Sequence, residues 1–290
     1  MSRAIELGRA LWRDARQDRV NGLAAEVAFF AVLSVFPALL VLADALGSLE
    51  ALVGGEFARD AQQVVLDFLR GILTERAGAT VDAVEDLFAR ESAGVATLAT
   101  LVAVVSLSRA FAAVIRALDL AYDVDERRSW LHLRLLAVGA SVATVILSAV
   151  TLAAIVLGPL LGEGGKLAEA VGLGEVWTLF WSWFRWPVAL ILMVAWATTL
   201  YRIVPAQNRR WRDGLPGAAF AAGGWILASL GLRAYLALAS GSNPVFGVLG
   251  GGLILLLWLY LLSLALLLGA ELNGVLARGG RGRDREEPAV

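Results

Sequence analysis

The chain has 290 residues, 59% hydrophobic and 18% charged, with a mean hydropathy of +0.71 and a net charge of -1. Soluble domains run at about 45–50% apolar and about 25% charged, so a water-soluble fold of this length could not hide so much apolar surface, and the near-neutral balance excludes a nucleic-acid-binding polycation. With no cysteine and one histidine, His132, the chain holds no disulfide, no thiolate nucleophile, no cysteine-based metal site and no multi-histidine centre.

A helix rises 1.5 Å per residue and needs about 20 apolar residues to cross about 30 Å of hydrocarbon. Six segments meet that length. The first lies near 23–46, holds Pro37 and is bracketed by Glu26 and Asp44. Ala43-Asp44-Ala45 has the look of a cleavage site. The apolar part is nevertheless too long for a signal core of about 7–15 residues, and a charged leader precedes it. The second runs near 94–115, with Arg109 in its last third. The third, 135–162, carries no charge. The fourth, 177–201, is interrupted by Arg185, and the fifth is 214–232. The uncharged stretch 234–270 is too long for one crossing. Ser240-Gly241-Ser242-Asn243-Pro244 supplies a turn inside it. That divides it into the end of the fifth helix, a loop, and a sixth span near 245–270.

The basic residues give an orientation. Arg3, Arg9, Arg13, Arg16 and Arg19 precede the first span. Arg109, Arg116, Arg127, Arg128 and Arg134 cluster around the second gap, Arg202, Arg209, Arg210 and Arg212 around the fourth, and Arg278, Arg281, Arg283 and Arg285 in the tail. The other gaps hold Arg59, Arg70, Arg76, Arg90, Lys166 and Arg233. Positive charge resists translocation, so both termini are expected inside, as an even number of spans also requires. The bland alternative, a solvated or RNA-binding face, does not explain clusters recurring at alternate gaps. Contact with anionic lipid headgroups comes with this arrangement.

The only long gap is 47–93. Phe57, Ala61, Val64, Val65, Phe68, Ile72 and Leu73 repeat at helical spacing. Val81, Val84, Leu87 and Phe88 begin a second stripe. The spacing predicts two amphipathic extracytoplasmic helices. These form either a packed cap or a lid or partner surface. The expected organisation is a cytoplasmic leader over 1–22, one membrane domain over 23–278 and a disordered cytoplasmic tail over 279–290. The fold class is an all-α polytopic membrane bundle of six transmembrane helices, N-in and C-in.

Charges inside spans are expensive, about 2.5–3.5 kcal/mol at a helix centre, and mark the candidate functional positions. Glu26, Arg109, Glu271 and Asn273 share the cytoplasmic depth and suggest a polar cluster there, against separate snorkelling at the interface. Arg185 follows Trp177 and Trp181 at steps of four. That makes it part of an aromatic belt, with guanidinium stacked on indole, or an anion-attracting site facing the bundle interior. Pro37 removes a helical hydrogen bond and predicts a kink. Asn243 stands in the turn before the last span. Gly247, Gly251 and Gly252 suit close helix packing rather than phosphate cradling, since no GK[ST] accompanies them. No nucleophile elbow, HExxH or Walker A is present in the sequence, and no cofactor is expected.

Several strings resemble the YihY/BrkB family of bacterial inner-membrane proteins. Ala24-Ala25-Glu26-Val27-Ala28-Phe29-Phe30-Ala31-Val32-Leu33-Ser34-Val35-Phe36-Pro37 is similar to its opening signature. Tyr201-Arg202-Ile203-Val204-Pro205, with Trp211-Arg212-Asp213-Gly214-Leu215-Pro216-Gly217-Ala218, is similar to its fourth-to-fifth connection. Phe246-Gly247-Val248-Leu249-Gly250, Trp258-Leu259-Tyr260 and Gly269-Ala270-Glu271-Leu272-Asn273 resemble its last helix. The likeness covers roughly 10–278. Where many relatives have Asn before a Tyr in the second-to-third connection, this chain has Ala117-Leu118-Asp119-Leu120-Ala121-Tyr122. The resemblance implies a six-span protein of the cytoplasmic membrane in a family linked with serum resistance and long labelled ribonuclease. The composition argues against that label.

The expected function is a transporter or lipid-handling protein of the bacterial envelope, not an enzyme, with membrane lipids as partners and no nucleic acid. The alternative is a non-transporting scaffold recruiting envelope partners through 47–93. Glycine-rich helix faces permit a homo-oligomer without requiring one.

Overall fold

A computed structural model describes residues 3–53, 93–124, 128–160, 174–205, 210–239 and 248–283. Among these residues all regular structure is helical: α1 (Arg3–Gln17), α2 (Val20–Val53), α3 (Ala93–Ala121), α4 (Trp130–Leu160), α5 (Gly174–Ile203), a 3-10 turn (Trp211–Gly214), α6 (Leu215–Ala239) and α7 (Val248–Arg283). Among the described residues five stretches are long and apolar enough to cross a membrane: Thr100–Ala121, Trp130–Leu147, Trp186–Ile203, Trp211–Tyr235 and Gly252–Arg278. The first expected span falls in α2, whose described apolar stretch is Val20–Val35. Helix α2 runs unbroken through Pro37, and α5 likewise carries Pro187, which the sequence reading passed over. The expected amphipathic helices over 56–88 and the turn at 240–244 lie outside the described residues. Helix α7 continues to Arg283, beyond position 278.

The spans reverse the packing of a soluble protein. Leu98, Leu101, Leu135, Ile146, Trp186, Ile191, Leu227 and Leu253 are exposed. The buried positions are largely small: Ala24 and Ala28 on α2, Ala110, Ala113 and Ala117 on α3, Ala218, Ala221 and Ala222 on α6, Ala265 and Ala270 on α7. In lipid, exposing a leucine costs nothing, and close packing of small residues is what draws helices together.

Contacts divide the chain into two units. The first comprises Met1–Val20, Ile115–Gly224 and Ala265–Val290. Within it α4 packs on α5, and α5 on the 3-10 turn. Trp196 Nε1 donates to Thr144 Oγ1 at 3.2 Å, joining α5 to α4. A Cβ on Gly217 would collide with the Gly269 carbonyl and the Asn273 amide, so α6 and α7 touch backbone to backbone there. The second comprises Asn21–Val114 and Trp225–Leu264. There Trp225 Nε1 donates to the Leu262 carbonyl at 2.8 Å, and Trp258 Nε1 to Ser229 Oγ at 3.2 Å, again linking α6 to α7.

Helix α1 differs from the spans. Leu7, Ala10, Leu11 and Asp14 are partly buried and Ala15 is buried, while Glu6, Arg9, Arg13 and Arg16 are exposed. This stripe seats α1 in the first unit and places Asp14 on its inner face. Among the described residues two non-glycine residues adopt positive φ, Arg19 at 54° and Asp123 at 52°. Arg19 lies between α1 and α2, its N–H donating to the Arg16 carbonyl at 3.3 Å. Asp123 ends α3 in a Schellman turn, with Val124 N–H donating to the Asp119 carbonyl at 2.9 Å and Asp123 N–H to that of Leu120 at 3.0 Å. Asp tolerates the left-handed conformation better than most side chains.

Candidate functional site

The polar residues of the first unit gather at the end of α7. Helix α6 begins at Leu215, and its first N–H groups have no partner within the helix. Asn273 of α7 supplies one. Its Oδ1 accepts from Gly217 N–H at 2.7 Å, and its Nδ2 donates to the Gly214 carbonyl and the Tyr122 hydroxyl, each at 3.2 Å. One buried amide therefore joins α3, the 3-10 turn, α6 and α7. Tyr201 of α5 adds a second tie, its hydroxyl donating to the Leu266 carbonyl at 2.6 Å. Arg128 adds a third. It pairs with the buried Asp119 carboxylate at 3.2 Å and donates to the Val204 carbonyl at 2.8 Å, holding the end of α5 against the end of α3.

Beside this hub lies a cavity of about 430 Å³ lined by Arg13, Asp14, Gln17, Asp18, Asp123 and Arg278. Arg278 forks between two acids, Asp14 at 2.6 Å and Asp123. Arg13 reaches the other oxygen of Asp14 at 3.3 Å. Gly274 lets α7 pass against the Ala121 carbonyl, which a Cβ would strike. That approach brings Arg278, one turn on, to Asp123. Glu271 is 1% exposed, and neither carboxylate oxygen has a hydrogen-bond partner. It faces Asp18 closely enough for a hydrogen bond between the two carboxyls once one of them carries a proton, and it has no other partner. Burial pushes the Asp18 carboxyl above its ordinary 3.8; the nearby Glu271 carboxyl works against that, while Asp123 and Asp14 add to it. Among the described residues no group of three or more His, Cys, Asp or Glu could hold a metal ion.

Of the sequence candidates, Glu271 and Asn273 fall in the first unit, two residues apart with different surroundings. Glu26 and Arg109 belong to the second. There Arg109 is exposed, with its guanidinium 5.7 Å from the Phe30 ring centroid, and Phe30 packs edge-on against Phe29 at 5.5 Å. Pro37 is interior to α2. Arg185 lies on α5, its side chain outside the described residues, as is Asn243. Sequence reasoning missed Asp14, Asp18, Asp119, Tyr122, Tyr201, Gly217 and Arg278. Asp14 carried a signal, since the apolar spacing of α1 puts it on the inner face.

The family profile described as virulence factor BrkB matches residues 11–290. The chain is 28% identical over 259 residues to a protein of Bacillus subtilis named putative ribonuclease-like protein YfkH, covering 87% of this chain and 88% of that one. It is 30% identical over 284 residues to the UPF0761 membrane protein Smlt0865 of Stenotrophomonas maltophilia, covering 95% of this chain and 62% of that longer protein. A UPF0761 membrane protein of Tolumonas auensis is 26% identical over 284 residues, with 91% and 83% covered. No solved structure matches.

Proposed function

The chain belongs to the BrkB family of membrane proteins, and from that premise we propose that it transports or handles a lipid or other envelope component in the bacterial cytoplasmic membrane. In this reading six helices cross, both termini face the cytosol, and the protein performs no covalent chemistry. The supporting observation is the split between outer and inner surfaces. The spans turn large apolar side chains outward, while the first unit gathers a buried amide hub, a fully buried carboxylate and an ion-lined cavity at one place. A helix bundle kept only for anchorage has no use for such a cluster, because intramembrane charge is costly. Exposed Arg116, Arg202, Arg210 and Arg212 stand within a few residues of the hub's members and favour anionic headgroups.

The test is reconstitution of the full chain into liposomes carrying a headgroup-labelled fluorescent anionic phospholipid, with an impermeant quencher added outside. Transbilayer movement faster than in protein-free vesicles supports the reading; equal rates refute it. The absence of cysteine makes the topology testable too. Arg9→Cys and Arg283→Cys should both be labelled from the cytosolic side alone.

A further inference from the structure

We propose that Glu271 and Asp18 form a proton-binding site, holding one proton between their carboxyl groups and exchanging it with water through the cavity lined by Arg13, Gln17 and Asp123. The charge pattern singles these two acids out. Asp14 is neutralised by Arg13 and Arg278, and Asp123 by Arg278. Asp18 and Glu271 appear in no ion pair among the described residues, and no donor reaches either oxygen of Glu271. A buried, ionised carboxylate without a donor is among the costliest arrangements in a protein. Two carboxyls facing each other relieve it by sharing a proton, and they then titrate as a pair.

The groups facing the pair are few. Helix α1 and the turn after it contribute Arg13, Asp14, Gln17 and Asp18, the α3 turn contributes Asp123, and α7 contributes Arg278 besides Glu271. Burial raises Asp18, in keeping with proton retention. Asp18 lines the cavity, whereas Glu271 is buried and is not among the lining residues. A proton arriving from solvent therefore reaches Asp18 first and Glu271 second. The step breaks no other bond; water in the cavity gives up the proton and takes it back. This inference rests on the transport reading for its use, since a proton site is what coupled movement of a cargo would draw on, but not for its test.

The test uses the full chain in native membranes and a hydrophobic carbodiimide, which adds to protonated carboxyl groups in apolar surroundings, with adducts located by mass spectrometry. An adduct is expected on Glu271, falling as pH rises and lost in Glu271→Gln. Asp18→Asn removes the neighbouring negative charge, so the pH midpoint of labelling should move down. Monodisperse elution in detergent checks the fold of both variants. No adduct on Glu271 at any pH, or a midpoint unmoved in Asp18→Asn, overturns the proposal. Suppression of labelling by sodium at constant pH overturns it in favour of a metal-cation site. Labelling of this kind with no lipid movement in liposomes would leave the proton site standing and sink the transport reading.

Discussion

Asn273→Ala is the most informative single substitution, because one buried side chain holds three helical elements and a turn. It leaves Gly217 N–H without its acceptor at 2.7 Å and removes donors from the Gly214 carbonyl and the Tyr122 hydroxyl. Asn273 is 2% exposed, so water does not replace it freely. A buried group left unsatisfied costs about 1–3 kcal/mol. Gly217 N–H bears the full penalty. The Gly214 carbonyl keeps a second lone pair, and the tyrosine hydroxyl can rotate, so their shares are smaller. The expected loss is about 2–4 kcal/mol. Thermal unfolding of the detergent-solubilised protein, followed by loss of the monodisperse chromatographic peak, reads it. Leu276→Ala on the same helix is the control, since Leu276 is 38% exposed. Asn273→Asp sharpens the test. It keeps an acceptor for Gly217 but sets a carboxylate oxygen against the Gly214 carbonyl, so it should destabilise as well. An Asn273→Ala midpoint equal to that of Leu276→Ala would refute the claim that the hub holds the unit together.

Gly217→Val should abolish monodisperse protein, because even a Cβ there meets the Gly269 backbone; Gly223→Ala on the same helix, where a Cβ meets nothing, should express normally. Arg128→Ala removes the guanidinium paired with the buried Asp119 carboxylate and should destabilise by up to about 3–5 kcal/mol, with part of the loss recovered in the Arg128→Ala, Asp119→Leu double variant. The Asp18 carboxyl is raised in the folded state, so between pH 3.8 and its folded-state value this group binds more proton in the folded protein than in the unfolded chain. Its contribution to stability is therefore present at low pH and lost as pH rises through the folded-state value. Unfolding midpoints measured across that window should fall with pH, and the fall should be shallower in Asp18→Asn.

What the sequence determined follows from transfer energetics, which depend on composition over about 20 residues and not on partners. That α3, α4, α5 and α6 are long and apolar enough to cross a membrane was legible for that reason. The family signatures were legible because they are local strings. Glu271 and Asn273 were legible as polar residues in an apolar helix, which the bilayer penalises whatever surrounds them.

Tertiary structure decided what those two residues meet. The sequence reading grouped Glu271 and Asn273 with Glu26 and Arg109 by depth alone, since depth is the coordinate that counting along a helix supplies. The rotation of each helix about its own axis is set by neighbouring small residues such as Gly217, Gly269 and Gly274. In helices apolar all round, no stripe announces that rotation. Asp14, Asp18 and Asp123 come from positions 14, 18 and 123, and meet Arg278 around one cavity because α1 docks by a short amphipathic face and a left-handed residue at 123 ends α3. Hydrophobicity put the helices into lipid; backbone contact between small residues chose which acids would share one cavity.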